Sequence, residues 1–402
     1  MLHHHLTMLQ HQPLARHNVQ HIHASRIRAV ADAAAHRADL LPFWFGEPDQ
    51  VTAPFIRDAA KAALDAGDTF YTPNLGIPAL RQAIADYLTR RHAPIGAERI
   101  AITSGGISSL MLAAQLVIEA GDRVVAVTPL WPNLVEIPRV LGAQVDTVAL
   151  HLDAQQGWTL DLDALLTALT PGTRAVLVNS PNNPTGWVMP PDQQDALLAH
   201  CRQHGIWLIA DDVYERLVFD RSADTPPQAH SWLARCTPDD RLISVHSFSK
   251  SWQMTGWRLG WMVVPERLSA DLAKLIEFNT CCAPGFVQRA AVTAISDGEP
   301  LVEQFVQRLA TARDYLHSAL STMDGLTVSK PQGAMYLFFH MAAAADSLAF
   351  CKDLVQATGL GLAPGRAFGP EGESCLRWCF ASNTQRLADG VQRFQHFLHG
   401  RR

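Results

Sequence analysis

One lysine, Lys250, lies in the segment SVHSFSKSWQMTGWRLGW (residues 244–261), among hydroxyls, glycines and an arginine. A lysine amine can act as a Schiff-base nucleophile when its surroundings activate it. Ser247 and Ser249 precede Lys250 in the pattern SxSK, and Arg258 follows it eight positions later. Hydroxyls and a guanidinium suit a phosphate, which arginine can bind through two parallel hydrogen bonds. The segment therefore predicts a phosphate-bearing group held within reach of the lysine.

Short runs rich in β-branched residues alternate with helix-like stretches from about residue 98 onward. The stretch SSLMLAAQLVIEAG has an apolar helical face and a glycine stop, and PPDQQDALLAHCRQHG begins with proline and ends in glycine. The alternation predicts an α/β fold, with a mainly parallel sheet covered by crossover helices. The strand-like runs are RIAIT, RVVAV, RAVLVN, GIWLIAD and RLISVHS.

Polar and glycine-rich segments follow each of these predicted strands. Ligands of open α/β sheets bind at the carboxyl ends of the strands. We therefore expect five strand ends to converge on one site. The five segments are SGGI, PLW, SPNNPTG, DDVY and SFSK.

The last hundred residues have a different character. The long helical stretch PLVEQFVQRLATARDYLHSALSTM is followed by the strand-like AMYLFF, the turn-rich GLGLAPGRAFGPEG, the short run CLRWCFA and a closing amphipathic helix. No internal repeat or low-complexity linker separates this part from the rest. The pattern predicts a smaller α+β unit packed against the larger one.

The chain resembles the pyridoxal-phosphate enzymes of fold type I, and among them the class I/II aminotransferases of the aspartate aminotransferase kind. The resemblance runs from FWFGEPDQ at position 43 to LRWCFASN at 376, and its most specific motifs are SFSKSWQMTGWRLGW and SPNNPTG. It implies a large domain with a mainly parallel seven-stranded sheet and a smaller α+β domain. We expect a mobile His-rich leader over 1–22, a small domain from both chain ends over 23–54 and 301–402, and a large cofactor domain over 55–300.

The resemblance implies pyridoxal 5′-phosphate as cofactor and assigns its contacts to named positions. Lys250 would form the Schiff base and, once freed by substrate, act as the base that moves a proton. Asp211 would pair with the protonated pyridine nitrogen. Its neighbour Asp212 fits this role less well, because the family pattern D-x-x-Y matches Asp211 and Tyr214. Tyr214 and Asn183 would hydrogen-bond the phenolic oxygen of the cofactor.

The phosphate of the cofactor is assigned in the same way. Gly105, Gly106 and Ile107 stand just before and within the start of a predicted helix, where backbone N–H groups can hold a phosphate. The family often has a hydroxyl or a lysine where Ile107 stands, so only the backbone can serve here. Ser247 and Arg258 would bind the same phosphate.

Two aromatic residues complete the cofactor contacts that the resemblance implies. Trp131, in PLWPN, would stack on the face of the pyridine ring. Tyr71, in FYTPNLGIPALRQAI, would reach the phosphate of the neighbouring subunit's cofactor. Two chains would then build each active site, and the protein would be an obligatory homodimer.

The substrate contacts begin with Arg377, which lies in the apolar run CLRWCFA. A guanidinium without an anion is costly to bury, and the resemblance assigns this arginine to the substrate α-carboxylate. The backbone of Gly46 would lie over the same carboxylate, with Asn183 beside it. The side chain of the substrate stays open: the aromatic segment LPFWFGEP suits an apolar substrate, but aromatic residues beside a domain junction also serve packing.

Composition narrows the classes of partner. The 402 residues are 48% hydrophobic and 18% charged, with a net charge of -5 and no clustered Lys/Arg stripe, which argues against nucleic acid or an anionic membrane as the main partner. A small amino acid and 2-oxo acid fit better. Seven scattered cysteines and the lack of a signal-peptide core or membrane-spanning run predict a cytoplasmic protein. Eight of the 18 histidines precede residue 40, but nothing around them fixes a metal geometry.

Three hypotheses follow for the function. The first is an aminotransferase that passes the amino group of an L-amino acid to a 2-oxo acid by a ping-pong mechanism. The second is another reaction on the same scaffold, either β-elimination by a carbon–sulfur lyase or a cyclisation like that of aminocyclopropane-carboxylate synthase, since fold alone does not separate these. The third is a binding module with an inactive aminotransferase domain, which the intact Lys250 disfavours.

Overall fold

The structure is a computed structural model that describes residues 15–153, 155–219 and 228–400. The predicted His-rich leader lies outside the described residues as far as residue 14. In chain order the strands are β1 (Leu41–Pro42), β2 (Ile100–Thr103), β3 (Arg123–Thr128), β4 (Gln144–Asp153), β5 (Gly157–Leu160), β6 (Thr173–Asn179), β7 (Trp207–Asp211), β8 (Leu242–Ser247), β9 (Gly260–Val263), β10 (Leu326–Thr327), β11 (Tyr336–Met341), β12 (Leu360–Gly361), β13 (Ala363–Pro364) and β14 (Cys375–Cys379).

Helices cover both sheets of the molecule and connect most of the strands. Short 3-10 turns occur between them, among them Thr255–Trp257 and Gly365–Phe368. In chain order the helices are α1 (His17–Gln20), α2 (Arg26–Ala33), α3 (Pro54–Asp65), α4 (Pro78–Arg91), α5 (Gly106–Val117), α6 (Asn133–Leu141), α7 (Leu162–Ala168), α8 (Pro191–His204), α9 (Ser269–Glu277), α10 (Gly285–Asp297), α11 (Glu299–Ser321), α12 (Ser347–Thr358) and α13 (Thr384–His399).

The larger sheet has the spatial order β2–β9–β8–β7–β6–β3–β4–β5. Strands β4, β3, β6, β7 and β8 run parallel to one another, whereas β9 is antiparallel to both β8 and β2. The prediction of an α/β fold with a mainly parallel sheet is therefore confirmed. The antiparallel hairpin of β4 and β5 adds an eighth strand to the expected seven.

Side chains of this sheet alternate between two apolar cores, one on each face. In β7, Leu208 and Ala210 belong to one core, and Trp207 and Ile209 belong to the other. Helices α3, α4, α8 and α10 contribute to the first core, and α5, α6 and α9 contribute to the second. Because both faces are buried, the strands are nearly continuous apolar runs.

Local chemistry sets several helix boundaries. Helices α3, α4 and α8 have proline in the first turn, where its missing N–H costs nothing. Helix α8 ends at Gly205 in the left-handed conformation, as its sequence predicted. Helix α5 ends earlier than the predicted stop at Gly121, because Ile118 turns to an extended backbone and buries its side chain in the core.

The smaller sheet has the order β10–β11–β14–β13 and is antiparallel throughout. Strand β1 pairs in parallel with β12, which joins the chain near residue 41 to the C-terminal part. Helix α13 packs on this sheet through Phe394, whose ring centroid lies 6.0 Å from those of Phe339 and Trp378. The C-terminal part is thus an α+β unit that includes an N-terminal segment.

Three further features bear on the expected chemistry. Within the ranges described above, no helix is long and apolar enough to cross a membrane. All seven cysteines carry free thiols. The same part of the chain holds no group of three or more His, Cys, Asp or Glu side chains suited to a metal ion.

Candidate active site

A cavity of about 230 Å³ lies at the carboxyl ends of the parallel strands. All five segments that were predicted to converge contribute to its wall, and the N-terminal and C-terminal parts of the chain close it. The predicted site residues that line it are Gly46, Gly106, Ile107, Trp131, Asn183, Asp211, Tyr214, Ser247, Lys250, Arg258 and Arg377.

One end of the cavity is built to receive an anion. Helix α5 begins there, and no side chain caps its first turn. Gly105 precedes the helix with a φ of 97°, and a Cβ on this residue would lie 2.5 Å from Nη2 of Arg258. A Cβ on Gly106 would approach Cβ of Ser247 to 3.4 Å. The two glycines therefore let free backbone N–H groups lie beside a hydroxyl and a guanidinium, a donor set that suits a phosphate.

Asp211 ends β7 and is only 2% exposed. Burial raises the pKa of its carboxyl to about 7, although the N–H of Val213 and the charge of Lys250 act in the opposite direction. The side chain of Asn179, at the end of β6, donates to the backbone carbonyl of Asp211 at 2.9 Å and accepts from the N–H of Asn183 at 2.8 Å. Asn179 was not among the predicted residues, yet it joins two neighbouring strand ends of the site.

Lys250 follows β8 and points its amine at the N-terminal segment. Its Nζ donates to the carbonyl oxygen of Gly46 at 2.6 Å and lies 5.7 Å from the ring centroid of Tyr214. Burial lowers the pKa of Lys250 to about 8; nearby Arg377 also lowers it, while Cys379 acts against this. A lysine with a lowered pKa is a better nucleophile at neutral pH, because more of its amine is uncharged.

Arg377 lies in the middle of β14 and is 2% exposed. Its Nη1 donates to Oδ1 of Asn183 at 2.8 Å, and its Nη2 donates to the carbonyl oxygen of Trp44. The guanidinium also packs on two rings, with Cζ 4.3 Å from the centroid of Tyr336 and 4.7 Å from that of Phe368. Its Nε is buried and has no hydrogen-bond partner within the described residues. A carboxylate in the cavity would supply the missing acceptor.

Tyr336 is a site residue that the sequence analysis missed. Its hydroxyl lies 2.7 Å from that of Tyr214, and burial raises the pKa of both tyrosines. It also explains Gly46, because a Cβ at that position would collide with the Tyr336 hydroxyl. The available signal was a tyrosine inside the apolar run AMYLFF, since a buried tyrosine hydroxyl requires a polar partner.

Comparisons with known proteins agree with this geometry. Residues 38–394 match the family described as aminotransferase class I and II. The chain is 30% identical to the aspartate aminotransferase of Pyrococcus horikoshii over 94% of its own length and 96% of the relative's. It is also 30% identical, with the same coverage, to aromatic-amino-acid aminotransferase 2 of Thermococcus litoralis. A solved structure of a Thermus thermophilus aspartate aminotransferase mutant superposes with a TM-score of 0.87 at 29% identity, covering 95% of this chain and 99% of that one.

The chain belongs to the class I and II aminotransferases. Its fold is fold type I, and it is an aminotransferase of a pyridoxal-phosphate-dependent family that transfers an amino group to a 2-oxo acid. The first of the three functional hypotheses is thereby confirmed. The carbon–sulfur lyase and the synthase-like cyclisation are not favoured, because the relatives are named as aminotransferases.

Two predicted cofactor residues of this aminotransferase do not line the cavity. Gly105 lies directly behind it, against Arg258. Tyr71 lies elsewhere on the surface and is 88% exposed, next to Phe70, which is 83% exposed. A separate cavity there is also lined by Cys282 and Phe286. Within one chain, Tyr71 therefore contributes nothing to the described site.

A buried polar cluster of the aminotransferase lies next to the site and was also missed. Asp212 accepts a hydrogen bond from Ser244 at 2.6 Å, and the same hydroxyl lies 2.7 Å from Nε2 of His246. Nδ1 of His246 lies 3.8 Å from a carboxylate oxygen of Glu215. Burial lowers the pKa of His246 to about 4. Asp212 and Glu215 thus attach the turn after Asp211 to strand β8. Asp211 itself lines the cavity.

The described residues fit pyridoxal 5′-phosphate on three counts. The glycine edge next to Ser247 and Arg258 offers an anion site with space for a phosphate. Asp211 is a buried carboxylate whose charge would be stabilised by a cationic ring nitrogen. Lys250 offers an amine of lowered pKa within the same cavity.

Proposed function

We propose that this aminotransferase binds pyridoxal 5′-phosphate in the cavity and moves the amino group of an L-amino acid to a 2-oxo acid by a ping-pong mechanism, with Lys250 as the reacting amine. The observation that carries the proposal is the convergence of Lys250, Asp211 and Arg377 on one cavity with an anion site at its edge. When bound, pyridoxal phosphate supplies an aldehyde for the amino group and a ring that accepts electrons from the substrate Cα.

Lys250 has two tasks in this proposal. Its lowered pKa provides an uncharged amine near pH 8. Once freed by substrate, its Nζ would move a proton between the substrate Cα and C4′ of the cofactor. The carbonyl of Gly46 holds Nζ at 2.6 Å and so orients the amine before reaction. Asp211 holds a negative charge at the ring nitrogen, where its burial makes the interaction strong.

The remaining polar side chains position the two ligands. Tyr214 and Asn183 would hydrogen-bond the phenolic oxygen of the cofactor, and Trp131 would contact its ring. Arg377 binds the α-carboxylate of the substrate through the donors that its own contacts leave over, beside the backbone of Gly46. In this arrangement the substrate carboxylate accepts the hydrogen bond that the buried guanidinium of Arg377 otherwise lacks.

The phosphate contacts form a second set in the proposal. The backbone N–H groups of Gly105, Gly106 and Ile107 and the side chains of Ser247 and Arg258 hold the phosphate. This set offers at least three hydrogen-bonding directions around one anion, which suits a doubly charged phosphate better than a carboxylate.

The proposed assembly is a homodimer with shared sites, which accounts for Tyr71. Phe70 and Tyr71 are 83% and 88% exposed and line one cavity with Phe286, and an exposed aromatic patch of this kind would be costly on a monomer. Tyr71 would reach across to the partner's cofactor phosphate. We further propose that the protein is cytoplasmic. We also propose the domain division predicted above, and the pairing of β1 with β12 supports it because this pairing joins residues 23–54 to the C-terminal unit.

The reacting amine is tested by reduction. The protein is loaded with pyridoxal phosphate, treated with borohydride and digested, and mass spectrometry locates the cofactor adduct. We expect the adduct on Lys250 and its loss in Lys250→Ala. The exposed Lys274, which pairs with Asp271 on α9, supplies the matched control Lys274→Ala, which keeps the adduct. An adduct on another lysine overturns the assignment.

The shared site is tested by mixing variants. Lys250→Ala and Tyr71→Ala each inactivate different parts of a site, and a mixed dimer of the two contains one site with both residues intact. Under random exchange we expect about a quarter of the wild-type activity to return. A mixture no more active than the separate variants, with dimers shown by light scattering, contradicts the assignment of Tyr71 to the partner's site.

A further inference from the structure

The charged side chains of the cavity are all placed at its cofactor and carboxylate ends. Among the residues that the structure describes, the charged side chains that line the cavity are Asp211, Lys250, Arg258 and Arg377. Under the proposed function, on which this inference rests, each already has a partner in the cofactor or in the substrate α-carboxylate. Within the single chain described, no charged lining group is left over for the side chain of the substrate.

Beside uncharged polar groups, the rest of the wall includes four large apolar side chains, which come from two parts of the chain. Ile27 of α2 and Phe45 after β1 lie on the N-terminal side, and Ile107 and Leu110 lie on α5. Ile107 is 41% exposed and Phe45 is 38% exposed. Two large apolar side chains are thus exposed to solvent at the cavity, and an apolar substrate side chain bound there would remove them from water.

The nearby cations do not alter this character. Arg28 lies beside Phe45, with Cζ 5.8 Å from the ring centroid, and is not part of the cavity lining. Arg139 and Arg366 line a separate cavity, where Arg139 pairs with Glu136 at 2.8 Å and Arg366 lies 3.7 Å from Glu373. A second carboxylate on the substrate that faced these apolar side chains would lose its hydration without compensation.

We propose that Ile27, Phe45, Ile107 and Leu110 form an apolar subsite that selects amino acids with an uncharged aliphatic or aromatic side chain over aspartate. Leucine and aspartate have similar shapes, so their comparison isolates charge from size. A subsite without a cationic partner for the distal carboxylate should favour leucine by about 100-fold in kcat/KM of the amino-donor half-reaction, the scale of discrimination that a hydrophobic pocket provides.

The first experiment measures binding without turnover. Wild-type holoenzyme is titrated with 4-methylvalerate, 3-phenylpropionate and succinate. Each offers a carboxylate to Arg377 and has neither an amino nor an oxo group, and succinate alone has a second carboxylate. Binding is followed by the cofactor absorbance and by calorimetry. We expect the two apolar acids to bind at least tenfold more tightly than succinate. Equal or tighter binding of succinate overturns the subsite.

A pair of substitutions at Ile107 sharpens this test. Because Ile107 is substantially exposed, Ile107→Lys changes the wall without opening a core, and its backbone N–H stays available to the phosphate. We expect Ile107→Lys to tighten succinate and weaken 4-methylvalerate, whereas the volume-conserving Ile107→Leu keeps the wild-type order. Unchanged selectivity in Ile107→Lys with bound cofactor contradicts the placement of the substrate side chain.

Arg28→Gln tests the competing source of selectivity. If Arg28 serves a distal carboxylate, this substitution weakens succinate binding at least tenfold, and the apolar subsite is wrong; we expect no such change. Failure of the proposed function gives a different result, because no cofactor adduct then forms at Lys250. A preference for aspartate with the adduct intact refutes the subsite alone.

Discussion

The two halves of the cavity differ in how they are built. The cofactor half is polar, and its side chains come from the ends of neighbouring strands of one sheet, at fixed offsets from buried apolar runs. The half proposed for the side chain of the substrate has large apolar side chains from α2, the segment after β1 and α5. The first half is a property of one continuous domain, whereas the second exists only where separate parts of the chain meet.

Under the proposed function, this difference separates the residues of the chemistry from those of substrate selectivity. Changing a polar residue of the cofactor half removes a charge or a hydrogen bond that the reaction requires. Changing an apolar residue of the substrate half alters the fit by a methylene or two. Substitutions in the two halves should therefore have effects of different size and kind.

The largest effect is expected for Lys250→Ala. Loss of the amine should lower the rate of the amino-donor half-reaction by about 10⁴-fold, because both the nucleophile and the general base disappear. Rapid-mixing absorbance measures this rate. Propylamine, which has the atoms that the substitution removes, should restore part of it; a merely misfolded variant would not respond. Lys274→Ala should react like the wild type.

Asp211→Asn should change stability in the absence of cofactor. Since the folded-state pKa is raised to about 7, the contribution of Asp211 to stability is fully present below about pH 4 and is lost as the pH rises through 7. At about 1.4 kcal/mol per pKa unit, the wild type should be less stable than Asp211→Asn by up to roughly 4 kcal/mol at pH 8. Urea unfolding at pH 4 and pH 8 measures the difference.

The control for this stability prediction is Asp271→Asn, which removes a carboxylate from the surface of α9. Its partner Lys274 is also exposed, and a surface pair of this kind contributes little. We expect its unfolding free energy to stay close to that of the wild type at both pH values. A pH-independent difference between Asp211→Asn and the wild type would show that burial does not perturb the carboxyl.

Arg377→Lys should weaken carboxylate binding while keeping the charge. The planar guanidinium of Arg377 contacts Asn183 and the Trp44 carbonyl and still has Nε as a further donor. A lysine amine cannot make this set of hydrogen bonds. We expect the Kd of 4-methylvalerate, measured by calorimetry, to rise about 100-fold, or roughly 2.7 kcal/mol. Arg202→Lys is the control, because Arg202 forms a two-pronged pair with Asp240 away from the cavity. Equal binding by Arg377→Lys would contradict the proposed carboxylate site.

Ile27→Val should have the smallest effect, and it should fall on selectivity. Removing one methylene costs about 0.8 kcal/mol of apolar contact, or roughly fourfold in kcat/KM for leucine. The value for aspartate should not change. Ile56→Val removes the same group from α3 inside the core, so it should lower thermal stability without altering the leucine-to-aspartate ratio. A parallel loss for both substrates in Ile27→Val would place Ile27 outside the subsite.

Most of the cofactor half was predictable from the sequence, and the reason is geometric. Parallel strands buried on both faces read as apolar runs, and their carboxyl ends meet at one edge, so the residues after GIWLIAD or RLISVHS must lie close together. Tyr336 and Asn179 were not predicted. Their roles depend on contacts across strands: the Tyr214 hydroxyl for Tyr336, and the Asp211 carbonyl for Asn179.

The buried cluster of Asp212, Ser244, His246 and Glu215 shows the same limit. Each residue stands one to three positions from a predicted site residue, and the pleat or turn sends its side chain away from the cavity. Sequence spacing identified Asp211 and Tyr214 through the pattern D-x-x-Y, but it gave no reason to join Glu215 to His246, 31 positions further on. Burial and the 3.8 Å approach decide that contact.

The sequence by itself determined the alternation of strands and helices, the edge at which the cavity lies, and the lysine, aspartate and arginine that line it. Local patterns and chain order suffice for these features, because buried strands joined by right-handed crossover connections can form only a few topologies. Only the tertiary structure decided which apolar side chains face the substrate, and that Arg377 keeps a free donor after contacting Asn183 and Trp44. Those properties depend on packing between segments some 330 residues apart in the chain, for which no local pattern exists.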